Sequence, residues 1–415
     1  MFFKQKFIVA ALFAAVLLAT APTFAAPVPD GPAGDAFYVP PKPFPVGLAG
    51  SAIWTRPLDG TMALPGAAKN LLVLYRSLDP AGHIVPVSGT VSIPPGTPPA
   101  GGWPVIVWTH GTTGLAPMCA PSLDTKNGPE HEYIAVIQTL LDGFVRHGYA
   151  VVATDYQGLG VAAGLHPFLQ GVPNGQNALD MLRAARQVEP AIGTRYAVIG
   201  HSQGGQTTLF TAAEGPRYTP EFKLIGDIAF APASHVAARL DAVRHSAKVE
   251  LALPYVLYVL QSYAAYHPGI DLKRILTPEA LSHLPDLQIA CMTRALTTGY
   301  WSTAIANQQF LSHPDLAALL KVGAANEPGR LKISVPTAIF QGEADVTVRP
   351  GDTDVVAKQL CAGGNKLEYL PYPGKDHDGV MVAGAEFARD WVDARFAGKP
   401  ASSNCASLPS AGASH

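Results

Sequence analysis

The chain has 415 residues, of which 48% are hydrophobic and only 14% are charged, so it can bury the core of one large domain or two modest ones. Its formal net charge of -2 gives no basic surface for nucleic acid or for an anionic membrane, and it suits a small neutral or apolar substrate better. The 38 prolines and 40 glycines indicate many loops and exclude a coiled or fibrous design.

The first predicted element is a secretory signal peptide. Lys4 and Lys6 precede an apolar run, and the small residues Thr23 and Ala25 fit cleavage after Ala25. An uncleaved membrane anchor is the alternative, but the run is shorter than the ~20 apolar residues that a transmembrane helix needs. We therefore expect residues 1–25 to be removed and the mature protein to be secreted, which means extracellular, or periplasmic if the chain comes from a Gram-negative bacterium.

A Pro-rich N-terminal arm is predicted next, in residues 26–69. It begins with PVPDGPAGDAFYVPPKPFPVG, which is typical of an extended segment that lies on the surface or stays mobile. The pattern from 70 to 234 is first β and then alternating α/β. Near-continuous apolar runs at 104–110 and 149–156 are typical of strands buried on both faces of a parallel sheet.

Residues 235–329 interrupt this alternation with helical patterns and almost no strand signal. Strand signals return in 330–398, which closes with a helical segment, and 399–415 are predicted to be a flexible tail. The simplest interpretation is an α/β core with a helical insertion.

The cysteines take their meaning from the predicted export. In an oxidising compartment the four cysteines most simply form two disulfides, and the residues alone allow three pairings of Cys119, Cys291, Cys361 and Cys405. Neither a Cys-x-x-Cys pair nor a His/Cys cluster has the spacing of metal ligands, so we expect no metal and no other cofactor.

Ser202 is the candidate nucleophile, since it lies in the sequence GHSQG at residues 200–204. An apolar segment precedes this motif and a helical pattern follows it, as in a strained strand-to-helix turn that presents a serine hydroxyl and admits only small neighbours. An ordinary Gly-rich turn at a strand end is the alternative.

A serine nucleophile needs a base and an acid that orients the base, in the chain order serine, acid, histidine. Asp345 follows a late strand pattern and is the candidate acid, with Glu343 as a weaker alternative. His377 is the candidate base, because it lies in a Gly-bounded loop directly before the last helical segment. We expect His201 to point away from the nucleophile, since it is adjacent to it at a tight turn.

Stabilising an oxyanion requires two backbone N–H donors aimed at one point. Gln203 follows the nucleophile and is the first candidate. Thr112 or Thr113, in the loop after the strand pattern at 104–110, is the second.

Taken together, the segments WTHGTTGLAPMCAPS, ATDYQGLG, GHSQGG, QGEADVTV and KDH resemble the secretory lipase family of α/β-hydrolases. The resemblance covers most of the mature chain. It implies an α/β-hydrolase fold, with a mostly parallel central sheet flanked by helices and an inserted helical cap that acts as a lid over an acyl-binding cleft.

The resemblance also implies the triad Ser202, Asp345 and His377, and an oxyanion loop at 110–113. It favours disulfides between Cys119 and Cys291 and between Cys361 and Cys405.

Candidate substrate-contacting residues are Tyr156, Leu257 and Leu260. The two leucines lie in the segment 249–268, which is apolar nearly all round and must be covered by protein or by ligand. A cap helix that only packs on the core is the alternative to a helix that lines the acyl cleft.

The expected function is that of a secreted serine hydrolase that cleaves carboxylic esters with an apolar acyl chain. A secreted serine peptidase and a non-catalytic binding relative of the same fold remain alternatives. We expect a lipid or other apolar ester as substrate and transient contact with lipid interfaces, and we expect neither nucleic acid nor a stable protein partner.

Overall fold

The computed structural model describes residues 27–408, so the predicted signal peptide and the last residues of the predicted tail lie outside the described residues. A single sheet forms the centre of this part of the chain. Its strands are β1 Ala52–Pro57, β2 Lys69–Leu78, β3 Ile84–Ile93, β4 Trp103–Thr109, β5 Ala150–Thr154, β6 Ile192–His201, β7 Lys223–Phe230, β8 Thr337–Gly342 and β9 Leu367–Tyr372.

The strands follow the order β1-β2-β3-β5-β4-β6-β7-β8-β9 across the described sheet. β2 is antiparallel to both β1 and β3, and β3 is antiparallel to β5. Every pair from β5 to β9 is parallel. The predicted α/β class with a mostly parallel sheet is therefore confirmed.

Helices cover both faces of the sheet. Five belong to the core: α1 His131–Arg146, α2 Gly171–Val188, α3 Gln203–Tyr218, α9 Pro350–Ala362 and α10 Gly379–Phe396. Five lie between β7 and β8 and form the cap: α4 Val236–His245, α5 Leu253–Tyr266, α6 Pro278–His283, α7 Met292–Thr297 and α8 Ala317–Ala325.

Alternate residues of the central strands face opposite sides, which divides the core into two layers. In β4, Ile106 and Trp108 pack with apolar residues of α1 and α10. Val105 and Val107 pack with apolar residues of α2, α3 and α9 instead. Because both faces are covered, the inner strands carry near-continuous apolar runs, as their sequence indicated.

The cap has an apolar cluster of its own around α5. Pro254 lies in the first turn of α5 and starts the helix, since a missing N–H costs nothing at that position. Phe168 and Leu169, from the loop after β5, complete this cluster, so the cap packs directly on the core.

The predicted N-terminal arm is more structured than expected. It contains β1, which pairs with β2 at one end of the sheet. Residues before β1 extend the pairing, since the Gly31 N–H donates to Thr55 O at 2.8 Å and the Thr55 N–H donates to Pro29 O at 3.0 Å. Phe37 is fully buried, so this part of the arm belongs to the core rather than to a mobile segment.

The first part of the predicted tail is also held in place, at the other end of the sheet. The Asn404 side chain accepts a hydrogen bond from the Tyr369 N–H at 2.9 Å and donates to Tyr369 O at 2.7 Å. Asn404 therefore occupies hydrogen-bonding positions of β9 that a further strand would otherwise use.

Two disulfides are present, and they join the pairs that the family resemblance favours. Cys119–Cys291 connects the loop after β4 to the start of α7, and hence the core to the cap. Cys361–Cys405 connects α9 to the C-terminal segment. Among residues 27–408, no helix is long and apolar enough to cross a membrane.

Candidate active site

Ser202 occupies a strained turn between β6 and α3, with φ of 58° and ψ of -119°. The neighbouring glycines are required by close packing. A Cβ on Gly204 would lie 1.9 Å from Thr109 O, and one on Gly200 would lie 2.1 Å from Thr109 Oγ1. The geometry is that of a nucleophile elbow and not of an ordinary Gly-rich turn.

Asp345 and His377 lie at the carboxyl ends of neighbouring strands, β8 and β9. Asp345 is buried, and its Oδ2 lies 2.7 Å from His377 Nδ1. Its other oxygen accepts hydrogen bonds from the Thr347 and Val348 N–H groups at 2.8 and 2.9 Å. Glu343, the weaker candidate for the acid, is exposed.

The pairing of Asp345 with His377 assigns a tautomer to the histidine. A carboxylate accepts hydrogen bonds, so Nδ1 carries the proton and Nε2 is left as the basic nitrogen. Within residues 27–408, no hydrogen bond joins His377 to the Ser202 hydroxyl. Such contacts often tighten only when substrate binds.

Gln203 and Thr112 present the candidate oxyanion donors. Among the described residues, neither backbone N–H donates to another protein group, and Thr112 lines the same cavity as Ser202. The Gln203 side chain is turned away and contacts His166 Nε2 at 2.6 Å. Thr113 is buried, and its carbonyl accepts a hydrogen bond from the Met292 N–H at 2.9 Å.

Three buried histidines surround the elbow. Burial lowers the pKa of His110 to about 4 and that of His166 to about 3. Burial, followed by the neighbouring His377, holds the pKa of His201 well below its usual value. These three rings are therefore neutral near pH 7, and each acts as a fixed hydrogen-bonding group.

The His201 ring, which was expected to point away from the nucleophile, lies against His377. The centroids of the two rings are 4.5 Å apart, and His201 Nε2 lies 3.0 Å from the carbonyl oxygen of His377. His201 Nδ1 lies 3.0 Å from the Tyr133 hydroxyl, and nothing in the sequence marked Tyr133 as part of the site.

A mostly apolar cavity adjoins Ser202 and Thr112, with walls from α4, α5, α8 and the loops after β5 and β8. Its apolar lining comes chiefly from cap and loop side chains: Phe168, Leu240, Val256, Val259, Leu260 and Leu319. Arg239 and Asp352 also line it, 3.6 Å from each other.

The three candidate substrate-contacting residues differ in where they lie. Leu260 lines the cavity. Leu257 faces the apolar cluster of the cap and does not line it. Tyr156 is fully buried and lies behind the site, where its hydroxyl donates to His110 O at 3.1 Å.

Within residues 27–408, His201, His377 and Asp378 are the grouping whose ligand atoms are close enough to hold a metal ion. In His201 the nitrogen nearest to this grouping already contacts the His377 carbonyl, and in His377 one nitrogen is bonded to Asp345. The proximity of these three residues is therefore better explained by hydrogen bonds within the site than by metal binding.

Comparisons with known proteins identify relatives of the chain. A family model described as secretory lipase matches residues 131–404. Lipase 6 of Candida albicans is 26% identical over 311 residues, which are 69% of this chain and 64% of that lipase. Lipase 10 of the same organism is 25% identical over 400 residues, which are 90% of this chain and 83% of that lipase.

Solved structures show the same fold. Candida antarctica lipase A has a TM-score of 0.74 at 18% identity, over 86% of this chain and 84% of that chain. The rice cell wall degrading esterase LipA from Xanthomonas oryzae has a TM-score of 0.66 at 18% identity, over 85% of this chain and 98% of that chain.

Proposed function

The chain belongs to the secretory lipase family, and from this membership we propose that it hydrolyses carboxylic esters through an acyl-enzyme on Ser202. His377 is the general base in this proposal, and Asp345 orients it. The observation that carries the proposal is the contact of 2.7 Å between Asp345 Oδ2 and His377 Nδ1, beside a serine in an elbow conformation.

In the first step the Ser202 oxygen attacks the ester carbonyl carbon while its proton moves to His377 Nε2. The N–H groups of Gln203 and Thr112 donate to the oxyanion that forms. When the tetrahedral intermediate collapses, the alcohol leaves with the proton from His377. Water then attacks the acyl carbonyl carbon and gives a proton to His377. When the second tetrahedral intermediate collapses, the carboxylic acid leaves and His377 returns this proton to the Ser202 oxygen.

The apolar cavity beside Ser202 supports an apolar acyl group as substrate. Burying a methylene group in such a cavity is worth about 0.8 kcal/mol, so an alkyl chain gains binding energy there. Leu251 and Val346 line this cavity and are 65% and 77% exposed, which favours transient contact with a lipid interface. We propose a lipid or related apolar ester as the substrate class.

A peptidase finds less support in this cavity. The two charged residues among its lining, Arg239 and Asp352, face each other and largely neutralise each other's charge. Neither charge is therefore available to bind the charged terminus of a peptide.

Export is part of the proposal as well. Family membership and two disulfides favour a protein that folds in an oxidising compartment. Determining the N-terminal residue of the exported protein tests this, and we expect Ala26 to be the first residue.

The activity is tested with 4-nitrophenyl esters from acetate to palmitate, a triglyceride emulsion and peptide 4-nitroanilides. We expect turnover of the esters, no turnover of the anilides, and loss of ester turnover in Ser202→Ala. Wild-type rates in a folded Ser202→Ala protein, or faster cleavage of anilides than of esters, would contradict the proposal.

A further inference from the structure

A continuous hydrogen-bonded chain runs behind the candidate active site, through Tyr133 of α1 and His201 at the end of β6. The Gly111 N–H donates to the Tyr133 hydroxyl oxygen at 2.7 Å. That oxygen lies 3.0 Å from His201 Nδ1. At the far side of the ring, His201 Nε2 lies 3.0 Å from the carbonyl oxygen of His377.

The donor-to-acceptor direction of these three hydrogen bonds is determined by the two backbone groups at the ends of the series. A backbone N–H can only donate and a backbone carbonyl can only accept. The Tyr133 oxygen therefore accepts from Gly111 and donates its own hydrogen to His201 Nδ1. His201 Nε2 then carries the ring proton and donates it to the His377 carbonyl, so one neutral tautomer satisfies every bond in the chain.

Because these hydrogen bonds are buried, they restrict the movement of the backbone segments that they join. His201 is 1% exposed, and burial holds its pKa well below the usual value, so the ring stays in the neutral form that the chain requires. Leaving a buried polar group without its partner costs about 1–3 kcal/mol. A shift of either backbone segment would break a bond in a place that water does not reach easily.

The hydrogen-bonded series ends on two backbone segments, and the distance between these segments determines the alignment of the reacting groups. Gly111 immediately precedes Thr112, a candidate oxyanion donor, and His377 is the candidate base. These segments follow β4 and β9, which are not neighbours in the sheet. A misplacement of 1 Å at a reacting group can cost about 100-fold in rate.

We propose that Tyr133 and His201 are positioning residues that hold the oxyanion loop and the loop of the catalytic histidine at a fixed separation. The inference rests on the proposed function, because it assigns roles to Thr112 and His377. Neither side chain is required to touch substrate. Their effect is on the rate of the chemical step and not on the affinity for the ester.

The test compares kcat and KM for 4-nitrophenyl butyrate in Tyr133→Phe, His201→Leu, the double variant and His201→Gln. Tyr75→Phe is the matched control, because the Tyr75 hydroxyl is also buried and makes two hydrogen bonds, at 2.7 and 3.0 Å, outside the site. His201→Gln keeps an N–H donor near the position of the ring Nε2.

We expect Tyr133→Phe and His201→Leu each to lower kcat by about 10- to 100-fold with KM within about twofold, because only the alignment of reacting groups is changed. The double variant should lose no more than the worse single variant, since both residues act in one chain. His201→Gln should recover most of the kcat that His201→Leu loses. Tyr75→Phe should keep the wild-type kcat.

Wild-type kcat in folded Tyr133→Phe would overturn the inference, and so would losses that multiply in the double variant. The inference also fails if Tyr75→Phe loses as much kcat as Tyr133→Phe, because the effect would then be general destabilisation. Tyr133→Phe removes a single oxygen and tests the inference even where His201→Leu does not fold. An inactive wild-type protein would instead refute the proposed function and this role with it.

Discussion

At the scale of single residues, Asp345 shows how hydrogen bonds hold a buried side chain in one orientation. Each of its oxygens has a defined partner: two backbone N–H groups bind Oδ1, and His377 binds Oδ2. The side chain can therefore orient His377 without moving.

This arrangement predicts the order of losses in triad variants. Ser202→Ala and His377→Ala should each lower kcat by about 10³-fold or more, and Asp345→Asn somewhat less, because triad members act as a unit. Esterase kinetics with circular dichroism as the folding check measure the effect. Glu343→Gln is the control, since Glu343 is exposed and should leave kcat unchanged. A larger loss in Glu343→Gln than in Asp345→Asn would reverse the choice of acid.

Glu130 predicts a pH dependence of stability. It is buried and accepts hydrogen bonds from the Thr293 N–H and hydroxyl, at the start of α7. Burial, opposed in part by these bonds, raises its pKa from 4.5 to about 7. Between pH 4.5 and 7, Glu130 is therefore protonated in the folded protein and ionised in the unfolded chain. Its contribution to the free energy of unfolding is complete below pH 4.5 and is lost as the pH rises through 7.

Replacement Glu130→Gln removes this titration. The free energy of unfolding of the variant, relative to wild type, should rise between pH 4.5 and 7 by at most roughly 3.5 kcal/mol, at about 1.4 kcal/mol per pKa unit. Denaturant unfolding across this range measures it. Asp180 and Asp227 also have raised pKa values, but they titrate in both proteins. Parallel curves for the two proteins would contradict the prediction.

The triad candidates could be predicted from the sequence because each lies in a motif with a fixed place relative to a strand end. Tyr133 could not, since its role depends on α1 bringing its hydroxyl against His201, and local sequence carries no record of that contact. Tyr156 follows a strand end as a site residue would. Its side chain is fully buried instead, with the hydroxyl bonded to His110 O.

At the scale of elements, two leucines of α5 have different surroundings, although the sequence predicted the same substrate-contacting role for both. Leu260 lines the cavity, whereas Leu257 packs inside the cap. Hydrophobic periodicity identifies a buried face but does not say whether protein or ligand covers it.

This difference gives a prediction for acyl-chain preference. Leu260→Trp should lower kcat/KM for palmitate relative to acetate esters by about 10-fold or more, because the added volume fills the cavity but leaves the triad in place. Leu257→Trp is the matched control and should affect all esters alike while lowering Tm, since it overpacks the cap. Kinetics on the ester panel decide this, and an equal loss on both esters in Leu260→Trp would show that α5 is structural.

The two disulfides should differ in their effect on activity. Their separations of 172 and 44 residues correspond to stabilisation of about 5 and about 4 kcal/mol in the chain-entropy treatment. Cys291 directly precedes Met292, whose N–H binds Thr113 O beside the candidate oxyanion donor. The first disulfide therefore also holds the oxyanion loop against α7.

Removing the first pair by Cys119→Ala and Cys291→Ala should lower Tm and reduce kcat by about 10-fold or more, because the loop loses its attachment. Removing the second pair by Cys361→Ala and Cys405→Ala is the matched control, with a lower Tm and a kcat within about twofold of wild type. Tm and kcat are measured for both. Similar kcat values in the two variants would show that the first disulfide acts on stability alone.

Most core elements could be predicted from the sequence, because long buried strands and amphipathic helices have strong periodic signals. β1 is the exception among the described strands. It ends at Pro57 and forms its ladder with β2 near the edge of the sheet, and most of its residues are only half-buried, so its pattern is partly polar. Its strand conformation is determined by long-range pairing with β2.

At the scale of the whole molecule, the N-terminal arm is joined to the core through Phe37. The ring packs 6.1 Å from that of Trp54, and the Trp54 indole N–H donates to Phe37 O at 3.2 Å. The composition of the arm, rich in proline and glycine, predicted an extended segment that lies on the surface or stays mobile. Composition carries no signal for the burial of a single aromatic ring.

Phe37→Ala should therefore lower the free energy of unfolding by about 3–5 kcal/mol, as expected for a buried phenylalanine. Val46→Ala is the matched control within the same arm, and it should change stability by less than about 0.5 kcal/mol because Val46 is fully exposed. Denaturant unfolding of both variants tests this. Equal stability of the two would mean that the arm is not part of the cooperative fold.

The two ends of the described chain occupy opposite edges of the sheet: residues 29–31 lie on β1, and Asn404 lies on β9. An open edge strand offers unpaired N–H and C=O groups to any other extended chain, and this is how many β-rich proteins aggregate. Here the chain blocks its own edges. A protease that trims both ends of the described chain would expose these hydrogen-bonding positions to pairing with another extended chain.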